Sequence, residues 1–295
     1  MWMRWDKSDR ENIEDRRGQG TGGGGLGGGG FGGMRLGLGG IVVLGVLSLV
    51  FGKNFFAMLG GGDQTVQPAQ GPTRQYPASA EEEQLVDFVN AVLKDAQGFW
   101  RGKLGDRYEA AKVVLFTDAT RSGCGFAEAA MGPFYCPTDE KVYVDLGFYR
   151  ELKTRFGAPG DFAQAYVLAH ELGHHIQNLL GIERRMRAEQ QSHPDEANAL
   201  SVKLELQADC FAGVWASAAQ TRGELEAGDF DEAIAAAGAV GDDRLQKQAT
   251  GRVNPETWTH GSSAERNGWF KRGFDGKDID ACNTFGDRTA SPLRR

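Results

Sequence analysis

Apolar positions recur at helical spacing from Leu85 to Trp100, where Val86, Val89, Val92, Leu93 and Ala96 continue one broad face, and Ser79 with Glu82 stands ahead of them as a capping box. KVVLFTDA and KVYVDLGFY alternate instead, and read as strands with a cysteine-bearing loop between them. The following segment, DFAQAYVLAHELGHHIQNLLG, returns to the helical period. Pro159 and Gly160 break the chain ahead of it, Asp161 can cap with Gln164 reaching back, and Gly181 suits its C-terminal stop. NALSVKLELQADCFAGVWA reads as a long helix, and GDFDEAIAAAGAVGDDRLQKQ as a further helical pattern broken at Gly241. A second capping box, Ser262 with Glu265, opens the last helix. The pattern predicts an α+β domain, rich in helix and with a small sheet.

The first seventy residues follow another pattern. Acids and bases alternate up to Arg17, and a glycine tract then runs from Gly18 to Gly40, a composition that cannot bury a core. Leu36 to Gly52 carries no charge, at a length near the roughly 17-residue lower limit for crossing a bilayer. The reading adopted is one transmembrane anchor over residues 34–59, a cytoplasmic flexible tail over 1–33, a Pro/Gln-rich linker over 60–77 and a catalytic domain over 78–295. A cleaved signal peptide and a buried core helix are the competing readings of the apolar run. Arg4, Lys7, Arg10, Arg16, Arg17 and Arg35 precede it and only Lys53 follows closely, so the positive-inside rule places the N-terminus in the cytoplasm and the domain outside, on a cytoplasmic (inner) membrane.

The chemistry lies in HELGH. His170 and His174, one helical turn apart, point within about 40° of each other, so two imidazoles can bind one Zn²⁺ from a single helix face. Glu171 then lies beside the metal, where a carboxylate can take a proton from an activated water and pass it to a leaving amine. A chance match on a buried helix is the competing reading. Burying two imidazoles and a carboxylate on one amphipathic helix without a metal would leave polar groups to satisfy some other way.

A third protein ligand comes from Glu205, which with Asp209 is again four apart on a helical pattern. Asp209 would sit behind the site, accepting a hydrogen bond from a ligand histidine and fixing its tautomer. A solvated acidic edge is the competing reading, weakened by Leu204, Leu206, Ala208, Cys210 and Phe211 around the pair. His260, just ahead of the second capping box, is the candidate to stabilise the oxyanion formed when water attacks a carbonyl, with a helix-start histidine bound to backbone as the alternative. His175 falls one residue off the ligand face and His193 sits in a polar loop, so neither receives a metal role.

Four cysteines allow three pairings if all are oxidised, and none has the CxxC spacing of a structural zinc site. Cys124 with Cys136 would close a short loop and leave Cys210 to tie the ligand helix to Cys282, consistent with an oxidising compartment; four buried thiols in a reducing one is the alternative. A net charge of −7 gives no basic footprint for nucleic acid, so none is expected as partner.

HELGHH followed some thirty residues later by ELQAD resembles the gluzincin arrangement of HExxH plus ExxxD. Within that group the chain resembles the putative neutral zinc metallopeptidase family of bacteria, also through its opening MWMRWDKSDRENIEDRRGQG, CGFAEAAMGPFYCPTDEKVYVDLGFY and THGSSAERNGWFKRGF. The resemblance implies a zincin-like domain held by one transmembrane helix, one Zn²⁺ per chain and a peptide or protein substrate. It also implies that one sheet edge borders the cleft, where an extended peptide can add as a strand. The expected activity is a membrane-anchored zinc-dependent peptidase. A zinc amidohydrolase acting on a non-peptide amide and a non-catalytic, zinc-stabilised binding module are the alternatives, and intact Glu171 argues against the second.

Overall fold

The computed structural model describes residues 9–19 and 77–286. The expected anchor and nearly all of the linker lie outside these residues, and no helix among the described residues is long and apolar enough to cross a membrane. Helix α1 (Ala80–Leu104) starts at the Ser79–Glu82 capping box read from the sequence, with both reciprocal bonds formed. Its buried face, with Val86, Val89, Leu93 and Ala96, lies in the same core as Val113, Leu115, Val142 and Val144 of strands β2 (Lys112–Phe116) and β6 (Lys141–Asp145). Side chains alternate across a strand, so Val114, Phe116 and Tyr143 fall on the opposite face, where they pack with Cys136.

The cysteine-bearing stretch between β2 and β6 has structure of its own. It holds an antiparallel hairpin, β3 (Ala119–Ser122) with β4 (Gly125–Glu128), and then β5 (Phe134–Cys136), which pairs antiparallel with β6. Beyond Asp145 the strand read from KVYVDLGFY gives way to helix α2 (Gly147–Thr154). The turn is held by the Asp145 carboxylate, which accepts from the backbone N–H of Gly147 at 2.7 Å and of Asp118 at 2.8 Å.

The N-terminal segment departs most from the sequence reading. Residues 9–19, expected within the flexible tail, build strand β1 (Ile13–Asp15) of the same sheet, in the order β1-β2-β6-β5, with Ile13 opposite Val113 in parallel register. Charge fixes the segment to the domain. Arg10 reaches Glu83 at 2.7 Å and Asp87 at 2.5 Å, the buried Arg17 reaches Glu83 at 2.7 Å, and Lys141 reaches Glu14 at 2.7 Å. The alternating acids and bases that look like a solvated tail are therefore pairing partners for a helix some seventy residues away. Composition carries no information about partners at that separation.

The remaining helices are α3 (Asp161–Leu179), α4 (Ile182–Ser192), α5 (Ala197–Thr221), α6 (Asp229–Ala239), α7 (Asp242–Thr250) and α8 (Ser263–Gly276). Gly241 separates α6 from α7 and the Ser262–Glu265 box opens α8, as the pattern predicts. Helices α5 and α8 cross at a pair of glycines. A Cβ at Gly213 would lie 2.0 Å from the Phe270 carbonyl oxygen, and one at Gly273 would lie 1.9 Å from that of Cys210. The contact is backbone to backbone, and no side chain can swing away to relieve it. Gly213→Ala should therefore cost at least about 3 kcal/mol, the upper end for overpacking, measured by denaturant unfolding; a loss under ~1 kcal/mol would mean a looser crossing. The disulfides join Cys124 to Cys136 and Cys210 to Cys282, the pairing favoured from the sequence, and the second ties α5 to the segment beyond α8.

Candidate metal centre and active site

Helix α3 carries both histidines of HELGH. Gly160 is its N-cap, and in place of the reciprocal Asp161–Gln164 cap the Phe162 N–H is shared between Asp161 at 2.9 Å and, from across the fold, Glu232 of α6 at 3.1 Å. Glu232 fills the space beside Gly160, where a Cβ would lie 1.8 Å from its carboxyl carbon. At the other end Gly181 takes the left-handed conformation (φ 67°) that a helix stop requires.

The predicted ligands converge. His170 Nε2 lies 3.2 Å from His174 Nε2 and 3.2 Å from a Glu205 carboxylate oxygen, while His174 Nε2 lies 3.6 Å from the other Glu205 oxygen. Zinc bound at about 2.0–2.1 Å in tetrahedral geometry sets its ligand atoms roughly 3.3 Å apart. These spacings match that edge length, so the donor set fits the ion. The other ring nitrogens are already engaged: His170 Nδ1 donates to Asp209 at 2.8 Å and His174 Nδ1 to the Gln177 side-chain oxygen at 2.9 Å. With each Nδ1 directed at these acceptors, Nε2 is the nitrogen that faces the other ligands and would bind the metal.

Electrostatics point the same way. Burial alone would lower the His170 pKa, but the carboxylates of Asp209 and Glu205 outweigh it and raise it to about 9. Burial would raise Glu205, yet His174, His260 and His170 hold it well below the usual carboxylate range. The centre attracts positive charge. Glu171 behaves differently: burial lifts it above the ordinary glutamate value, against the opposing pull of His170 and His174, while the Tyr135 backbone N–H bonds its carboxylate. A raised carboxyl pKa suits a group that must both take and return a proton.

A cavity of about 590 Å³ opens over the centre, lined by His170, Glu171, His174 and Glu205 at its floor and by Met131 to Tyr135, including β5, on one side. Among the described residues β5 ends the sheet on this side, so a sheet edge borders the cleft as the resemblance implies. His260 also lines the cavity, its side chain 43% exposed and its Nδ1 3.2 Å from Asp242, which also accepts from the His260 backbone N–H at 2.7 Å. Burial opposes protonation of His260, but Glu205 and Asp242 raise its pKa. The two histidines left without a metal role are elsewhere: His175 is buried between the Tyr135 hydroxyl (3.0 Å) and the Glu109 carbonyl (2.7 Å), and His193 pairs with Glu189 at 3.3 Å.

Sequence reasoning missed the polar groups behind the centre. Gln177 positions His174 and is itself held by its NH₂ to the Leu204 carbonyl at 2.7 Å. Tyr166, one turn ahead of His170, donates from its hydroxyl to Asp209, and Arg266 of α8 forks onto the same carboxylate. Gln177 could have been found from its i+3 spacing to His174. Arg266 could not, because it meets Asp209 only through the α5–α8 crossing.

Two imidazoles and a carboxylate within reach of one another, with a buried glutamate lining the same open cleft, form a donor set able to hold one metal ion. The chain belongs to the family described as putative neutral zinc metallopeptidase, which matches residues 3–285. It is similar to the uncharacterized protein YpfJ of Escherichia coli, 47% identical over 289 residues that cover 96% of this chain and 99% of that protein. The uncharacterized proteins Mb2605 of Mycobacterium bovis and Rv2575 of Mycobacterium tuberculosis are each 45% identical over 208 residues, 67% of this chain and 69% of theirs. No solved structure matches the chain.

Proposed function

We propose that the protein is a zinc-dependent peptidase in which His170, His174 and Glu205 hold one Zn²⁺ and Glu171 moves the proton. The observation that carries this reading is the spacing of the donors at a tetrahedral edge, with Glu171 beside them at the floor of a cleft. Zinc, when bound, supplies Lewis acidity toward a carbonyl oxygen and a water. Glu171, next to the first histidine, takes the proton from the water and returns it to the leaving nitrogen. His260, in the cavity wall, would donate to the oxygen that gains charge, with Asp242 beside its Nδ1 to orient the ring. Strand β5, beside the cleft, is the strand to which an extended peptide would add. Purified protein should contain about one zinc per chain and cleave unfolded protein substrates, with activity lost on chelation and regained with zinc. Protein without metal that shows no response to added zinc would end this reading.

A second part of the proposal concerns the membrane. Arg10, Arg16 and Arg17, which weigh toward a cytoplasmic N-terminus when counted from sequence, are ion-paired with Glu83, Asp87, Glu14 and Asp15. Strand β1 and helix α1 flank Leu36–Gly52 in sequence and pack together, so one crossing between them would separate β1 from its sheet. We place both flanks and the catalytic domain on one side, the oxidising side favoured by the two disulfides, with the apolar stretch associating with the membrane from there. Reporters fused before Met1 and after Arg295 should then read the same compartment. Opposite compartments would restore the single crossing and remove β1 from the sheet in the cell.

A further inference from the structure

The buried polar cluster behind the centre contains a cation that no part of the proposed chemistry uses. Arg266 is 3% exposed and Asp209 fully buried, on helices whose backbones touch at Gly213 and Gly273. The guanidinium meets the carboxylate as a fork, Nε to Oδ2 at 2.8 Å and Nη2 to Oδ1 at 2.9 Å. Nη2 also donates to the Tyr166 hydroxyl at 3.1 Å, and that hydroxyl donates in turn to Asp209 Oδ1. The remaining donor on Oδ1 is His170 Nδ1 at 2.8 Å.

We infer that Arg266 is a positioning residue for the metal centre: by clamping Asp209 from α8 it fixes the His170 ring so that Nε2 faces His174 and Glu205. This rests on the zinc reading above. A lone carboxylate behind a ligand histidine can rotate about its Cβ–Cγ bond and carry the imidazole with it. A bidentate fork defines the carboxylate plane, which an ammonium at a single point does not. The tyrosine adds a further restraint on Oδ1. Charge completes the case. Glu171, Glu205 and Asp209 place three carboxylates around the centre, and Arg266 with one divalent ion balances them, so the guanidinium lets a buried anion stand behind His170 without leaving it uncompensated. The clamp has little freedom to drift, because the glycine crossing and the Cys210–Cys282 disulfide fix α5, one residue from Asp209, to the elements around α8.

The test is a double-mutant cycle read as zinc affinity, by chelator competition on the full chain, with circular dichroism and melting temperature recorded for each protein. Arg266→Met and Asp209→Asn should each weaken zinc binding by about 10- to 100-fold, the usual effect of a partner behind a ligand. The double variant Asp209→Asn/Arg266→Met should bind no more weakly than Asp209→Asn alone, because the approach of Nη2 to His170 Nδ1, at 3.3 Å, follows from the fork on the carboxylate. Arg266→Lys, which keeps the charge but not the fork, should recover part of the affinity. Should Arg266→Met leave a buried anion that prevents folding, the comparison of Asp209→Asn with the double variant and of Arg266→Lys with the parent still decides the matter. Losses that multiply in the double variant, or folded Arg266 variants that bind zinc as tightly as the parent, would overturn the inference. A parent protein that binds no zinc would instead refute the metal reading on which it rests.

Discussion

Glu171→Gln should lower turnover by about 10²- to 10⁴-fold, the range supplied by a general acid–base group, while zinc stays bound. Glutamine keeps the size of the side chain and can still accept from the Tyr135 N–H, so the floor of the cleft should hold its shape. It cannot accept the proton from water. The glutamate is also 7% exposed, and its replacement by a neutral group relieves a buried charge, so the variant should be no less stable than the parent. Turnover in this variant within a few-fold of the parent, at equal zinc content, would exclude Glu171 as the base. Loss of zinc together with turnover would make its role structural.

Glu205→Ala should act on the metal first. The carboxylate places one oxygen 3.2 Å from His170 and the other 3.6 Å from His174, so its removal takes away a donor and the anion that attracts the ion. The expected loss in zinc affinity exceeds the roughly 10- to 100-fold of a partner that only orients a ligand, and activity should fall with it. Asp209→Ala supplies the comparison and should fall within that smaller range. Zinc titration of the two variants side by side checks the order. Equal or reversed losses would place the third ligand elsewhere, with His260, already in the cavity wall, the next to test.

The sequence determined the local parts of this site. His170 and His174 are four apart, Glu171 stands between them, and Glu205 and Asp209 repeat the spacing on a second helix, because a helix turns spacing directly into a shared face. The capping boxes at Ser79 and Ser262, the break at Gly241 and the stop at Gly181 were legible for the same reason: each depends on residues within one or two turns. The cysteine pairing was one of three open to the sequence, favoured because Cys124 and Cys136 lie close in the chain, and the fold decided it. Tertiary structure decided the rest. Strand β1 is polar along most of its length and pairs with β2 at a separation of about a hundred residues, so its charges looked like a solvated tail until Glu83, Asp87 and Lys141 were placed beside them. At the N-terminus of α3 the Phe162 N–H is shared between Asp161 of its own first turn and Glu232 of α6, which no local pattern could supply. Arg266 reached Asp209 only because two glycines let α5 and α8 approach to backbone contact. Pattern reports what a residue's own segment needs; which distant charge answers it depends on how closely the helices pack.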